Sequence, residues 1–75
     1  MRTERFHMER DELNIGDEVD INEGILPMAY YYTIIPALAM SGNYTTRERI
    51  KSRHGKVVGK EEHNSTFYIY VEFDE

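Results

Sequence analysis

No cysteine occurs anywhere in the 75 residues. That excludes a disulfide framework and a thiolate zinc site, so one compact apolar core or a partner chain must hold the fold. No apolar run approaches the roughly 18 residues of a membrane-spanning helix. The opening Met1-Arg2-Thr3-Glu4-Arg5 leads into no apolar stretch, so no signal peptide is expected and a cytoplasmic protein is. No glycine-rich phosphate loop is present. His7, His54 and His63 include no pair at the spacing of a helical metal site. Ser41, Ser52 and Ser65 fall into no nucleophile–base pattern. No cofactor, no metal and no enzymatic activity are expected. A chain this short also has little scaffold for a preorganised cleft.

What is present begins with a strict alternation. In Phe67-Tyr68-Ile69-Tyr70-Val71-Glu72-Phe73 the odd positions are apolar, and the even ones are tyrosine or acidic. Period two predicts a half-buried strand. Lys56-Val57-Val58-Gly59-Lys60-Glu61 precedes it across His63-Asn64-Ser65, and the two predict a hairpin over about 56–73. Near the other end, Asn14-Ile15-Gly16-Asp17 is a turn signal. Glu18-Val19-Asp20-Ile21-Asn22 reads as a first strand ended by Glu23-Gly24. Residues 1–13 read as a charged tail, in part helical, and 14–75 as a single domain with an insertion at 25–54.

The insertion is the ambiguous stretch. Leu26, Ala29/Tyr30, Thr33/Ile34 and Ala37/Leu38 recur at helical spacing, yet Tyr30-Tyr31-Tyr32-Thr33-Ile34-Ile35 is a run of strand formers. Pro36 pushes Ile35 toward extended geometry. The segment resolves as extended over 29–35 with a short helix from Pro36, stopped at Gly42 or Asn43. A proline-kinked helix over 27–40 is the alternative. Thr45-Thr46-Arg47-Glu48 has the form of a capping box and predicts a helix to about Arg53, anchored by Ile50 and stopped by Gly55. The expected core is Val19, Ile21, Ile34, Leu38, Ile50, Val57, Phe67, Ile69, Val71 and Phe73.

Three blocks, Ile15-Gly16-Asp17-Glu18-Val19, Gly55-Lys56-Val57-Val58-Gly59 and Ile69-Tyr70-Val71-Glu72-Phe73-Asp74, together resemble the strands of a small SH3-like barrel of the KOW-related kind. The chain thus looks like such a barrel with a helical insertion, as found in short bacterial and phage proteins of unknown function. The resemblance implies a mainly β (α+β) fold, either a small SH3-like barrel or a curled antiparallel sheet. The short helical insertion would lie between the first strand and the C-terminal hairpin. It also implies a further strand beside Val71-Glu72-Phe73-Asp74, an edge that 29–35 could fill. Such barrels often sit on RNA or ribosomes.

The net charge of −5 hides a segregation. Between Tyr44 and Lys60 stand six basic residues and one acid, while the rest of the chain holds three basic residues and thirteen acids. On a helix, Arg47 and Lys51, and Arg49 and Arg53, would form two rows of cations. With Lys56 they are the candidate contacts to an RNA backbone. Tyr31, Tyr32, Tyr68 and Tyr70 are the candidate contacts to a protein partner, because aromatic residues are enriched at interfaces. The alternative is that the insertion folds over Tyr68 and Tyr70. The acidic stretch Asp11, Glu12, Asp17, Glu18, Asp20 and Glu23 could mimic a phosphate backbone. The functional expectation is a small non-enzymatic interaction module that binds a protein. An RNA- or ribosome-associated module and an acidic inhibitor of phage type are the alternatives.

Overall fold

The computed structural model describes residues 1–36 and 39–75. It is a closed, antiparallel six-stranded barrel: β1 (Arg2–Met8), β2 (Glu18–Leu26), β3 (Ala29–Ile35), β4 (Met40–Ser41), β5 (His54–His63) and β6 (Thr66–Phe73). Around the barrel the order is β1-β4-β3-β2-β5-β6. Closure removes the free sheet edges that would otherwise recruit other strands. Inward side chains alternate along every long strand. Phe6, Met8, Val19, Ile21, Tyr32, Ile34, Val57, Ile69, Val71 and Phe73 fill the interior, and Leu13, Ala39 and Ile50 cover it from the connections. No helix among the described residues is long and apolar enough to cross a membrane.

The C-terminal hairpin forms as its alternation predicts, with His63 opposite Thr66. Asn64 and Ser65 both take positive φ (50° and 68°), the geometry of a two-residue turn matched to the strand twist. The register shifts between Val57 and Gly59, leaving Val58 as the extra, exposed residue of a bulge. The strand over 29–35 also forms as expected, and the proline-kinked helix does not.

Several expectations are corrected. Residues 2–8, read as part of a charged tail, are β1, paired with β6 along its whole length from Arg2↔Phe73 to Met8↔Phe67. Phe6 and Met8 point inward and are fully buried. The edge beside β6 is thus filled by β1, and β3 lies on the far side of the barrel. The signal was hidden because the inward positions Arg2 and Glu4 are charged. They reach the barrel rim, where the Arg2 Nε pairs with Glu4 at 2.6 Å.

The helical insertion does not form among the described residues. Among the described residues of 25–54 there are strands and one 3-10 turn, Thr46–Glu48. The Glu48 carboxylate does reach back to the Thr45 N–H (3.1 Å) and hydroxyl (2.9 Å). Arg49 then turns to φ −54°, ψ 140°, which ends the turn. Its side chain finds better partners away from a helix, as shown below. The short helix expected from Pro36 is replaced at Met40 and Ser41 by β4, while Ala37 and Leu38, with the latter's expected place in the core, lie outside the described residues.

Two glycines expected to end elements lie inside strands instead. A Cβ on Gly55 would stand 2.6 Å from Val71 Cγ1 and 2.8 Å from Phe73 Cε1, so its missing side chain is the space Phe73 occupies. Gly24 lets the Tyr31 ring lie directly across it, and β2 therefore continues to Leu26. Phe67, expected in the core, is half-buried at the barrel end.

Candidate protein-interaction surface

β2 and β3 pair from Asp20↔Ile35 out to Leu26↔Ala29. Their other neighbours stop early: β5 pairs with β2 only over Glu18–Asp20, and β4 meets β3 only at Thr33. Beyond Glu23↔Tyr32 the hairpin is flanked only on the β3 side, by the single Tyr30↔Tyr44 bridge, so its end is a short arm whose β2 edge is unpaired among the described residues. Its tip is Ile25-Leu26-Pro27-Met28. Ile25 is 73%, Leu26 40% and Met28 92% exposed. An isolated two-stranded ribbon is marginal in water, so the arm needs support along its length.

That support is polar and aromatic. Tyr30 and Tyr44 exchange backbone hydrogen bonds, Tyr30 N–H to Tyr44 O at 2.8 Å and Tyr44 N–H to Tyr30 O at 2.7 Å. The Arg49 guanidinium lies 4.3 Å from the Tyr30 ring centroid. It also grips Glu23 with two bonds, Nε to Oε2 at 2.9 Å and Nη2 to Oε1 at 2.6 Å. The Tyr32 hydroxyl donates to Glu23 Oε2 (2.8 Å) and accepts from the Ile50 N–H (2.8 Å). Arg53 stands 3.8 Å from the same carboxylate. The Arg49 bonds, outweighing the effect of burial and aided by Tyr32, hold the Glu23 carboxyl at a pKa of about 2. Glu23 is thus an anionic post at the base of the arm.

The tyrosines expected at an interface separate. Tyr32 is fully buried, which corrects its assignment as a contact residue: its ring packs edge-on to Tyr44 at 5.6 Å, and its hydroxyl is consumed as described. Tyr31 is half-buried on the arm. Tyr68 and Tyr70 are half-buried on the outer face of β6, a different wall of the barrel. Tyr68 is flanked by the Arg5 guanidinium at 4.9 Å and the His63 ring at 5.9 Å, and Tyr70 donates to Glu61 at 3.1 Å.

The cations do not form helical rows. Arg49 and Arg53 turn to Glu23, and Arg53 Nη1 also donates to the Ile50 carbonyl at 2.8 Å. Arg47, Lys51 and Lys56 are exposed, and among the described residues their side chains make no hydrogen bond. Arg47, Arg49, Lys51 and Arg53, with Thr46 and Ile50, line an open cleft of about 330 Å³ beside the arm. Lys56 lies on β5 between Glu18 and Glu72 in the sheet register. Of the acidic stretch, Glu18 and Asp20 are bridged by His54, with Nδ1 2.8 Å from Asp20 and Nε2 3.0 Å from Glu18. Those two carboxylates, Asp20 first, raise the His54 pKa.

The apolar tip was not singled out in the sequence, where Leu26 counted toward a helical period. The signal was available. Four consecutive nonpolar residues with Pro at a turn position, followed by the strand formers of 29–35, are a hairpin whose tip the core does not need. Comparison with family models, with curated proteins and with solved structures finds no match to this chain.

Proposed function

We propose that this protein is a small non-enzymatic interaction module that binds a protein partner through the tip of the β2–β3 arm. The observation that carries the reading is Ile25, Leu26 and Met28 exposed together at the end of the β2–β3 arm. The barrel interior is filled without them, so burial against a partner is the remaining gain for about three large apolar side chains. Tyr30 and Tyr31 supply aromatic surface beside them, and Arg47 and Arg49 supply a cationic rim, a composition typical of interface centres and margins. The barrel itself we read as SH3-like and KOW-related. The three sequence blocks support this by leading into β2 and lying on β5 and β6, which are consecutive neighbours in the barrel.

A second reading is supported by the cleft at 46–53. Arg47 and Lys51 line the cleft with no side-chain hydrogen bond among the described residues, Lys56 is nearby in sequence, and these cations could contact RNA phosphates.

One experiment separates the two. Tagged wild type, an Ile25→Ser/Met28→Ser variant and an Arg47→Glu/Lys51→Glu variant are used for capture from lysate, with and without nuclease. A discrete protein that survives nuclease, is lost with the serine variant and is retained by the glutamate variant is the expected result. RNA or ribosomal proteins lost with nuclease and with the glutamate variant would replace the first reading with the second.

A further inference from the structure

The turn that follows Thr46–Glu48 leaves two consecutive backbone N–H groups, those of Lys51 and Ser52, pointing the same way. Neither is used by a sheet ladder. The neighbouring Ile50 N–H is taken by Tyr32 and the Ile50 carbonyl by Arg53, which fixes the segment's path. Successive N–H groups converging on one point make an anion seat. The seat is filled by a side chain of the same molecule. Glu75 Oε2 accepts from the Lys51 N–H at 3.0 Å and the Ser52 N–H at 2.7 Å, and Oε1 accepts from Arg2 Nη1 at 3.0 Å. Arg2 is itself held in place by the carbonyls of Glu48 and Arg49. The Glu75 side chain remains about 20% exposed, so the seat opens to solvent.

We propose that this seat, with the cleft beside it, binds a carboxylate of an acidic segment of the protein partner, and that Glu75 is the resident self-ligand which that segment displaces. The inference rests on the protein-binding reading for the nature of the partner. Three features favour a carboxylate over a phosphate. The occupant in the structure is a carboxylate using both oxygens. Little net positive charge is left in the cleft, because Glu23 already neutralises much of Arg49 and Arg53 and only Arg47 and Lys51 remain. A net charge of −5 disfavours the long-range approach of a polyphosphate chain. Position supplies the link to the arm. Arg49 lines the cleft and stacks on Tyr30, which stands opposite Ile25 in the sheet register. A partner with an apolar residue on the arm thus carries its neighbouring acids over the cleft. Glu75 lies below the ordinary carboxylate range: burial opposes this, but the Ser52, Arg2 and Lys51 donors prevail.

The test is amide NMR on the full chain, wild type and Glu75→Gln, titrated with the blocked peptide Glu-Glu-Leu-Glu-Glu. Decauridylate serves as the competing probe. The expected result is movement of the Lys51 and Ser52 amides in both proteins. Affinity should be about tenfold tighter in the variant, the gain when a site nine-tenths occupied by its own ligand is freed. Unmoved Lys51 and Ser52 amides, or equal affinities, overturn the proposal. Movement at Ile25 and Met28 alone overturns it too and leaves the arm reading standing. Movement at Lys51 and Ser52 alone supports the seat and removes the arm. Response to decauridylate and not to the peptide overturns it in favour of a polyanion site. Should Glu75→Gln fail to fold, the wild-type Glu75 carboxyl resonance decides: it must move to the free-glutamate position as the peptide binds.

Discussion

The hydroxyl of Tyr32 ties three segments together at one buried point, and its loss is the sharpest test at the scale of a residue. Tyr32→Phe leaves the buried Ile50 N–H without an acceptor and removes one of the three hydrogen bonds donated to Glu23. It should cost about 2 kcal/mol, the range for an orphaned buried donor. That would lower Tm by roughly 10 °C in a domain this small, read by thermal denaturation. Two titrating groups act in different pH ranges. Glu23 is depressed to about 2, so its contribution is complete above the ordinary carboxylate range and is lost as pH falls toward 2. Its removal in Glu23→Gln should flatten the acid limb of a Tm-versus-pH curve. His54 is raised, so its contribution is complete below the ordinary histidine pKa and disappears as pH rises through its elevated value in the folded state. His54→Gln should flatten that limb and leave the acid limb unchanged. Legibility at this scale was uneven. Ile50 was identified as an anchor because it is a lone large apolar residue in a charged stretch. Tyr32 was misplaced because a run of three tyrosines does not say which one points inward until the strand register is known.

Among the elements, β1 and the β2–β3 arm have opposite relations to stability. β1 closes the barrel against β6 and contributes Phe6 and Met8 to the interior. Phe6→Ala should destabilise by about 3–5 kcal/mol, the usual range for emptying a buried phenylalanine site, and in a 75-residue domain that approaches global unfolding. Far-UV circular dichroism with urea would show the loss, and an intact cooperative transition at an unchanged midpoint would contradict the place given to β1. The arm tip should behave differently. Ile25→Ser and Met28→Ser remove side chains that touch water, so stability should change by less than about 0.5 kcal/mol while partner capture falls. The C-terminal hairpin was legible because alternation, a turn and a return strand all agree. β1 was not, since charged residues at two of its inward positions break the pattern that marks a strand. The supposed helix at 45–53 had a genuine start signal in Thr45 and Glu48. A start signal cannot show that Arg49 gains more from Glu23 and Tyr30 than from another helical turn.

For the molecule as a whole, the charge segregation seen along the chain becomes a surface with a cationic cleft on one side and acids bridged by His54 on another. Screening should therefore discriminate between the two functional readings. RNA held by Arg47 and Lys51 should weaken roughly sevenfold between about 50 and 200 mM salt, whereas a partner held by Ile25 and Met28 should lose little over that range. By itself the sequence determined a mainly β character, the C-terminal hairpin, most of the apolar interior and the absence of cysteine chemistry, and it favoured a strand at 29–35 over a kinked helix. Each follows from local alternation, turn residues or composition, which need no knowledge of distant neighbours. Only the tertiary structure decided that residues 2–8 close the barrel, that Gly24 and Gly55 make room for aromatic rings, that Tyr32 is interior and that the arm overshoots its neighbours. These depend on which strand lies beside which and where each one stops. Pairing of that kind joins residues as far apart as Arg2 and Phe73, whose match no local period encodes.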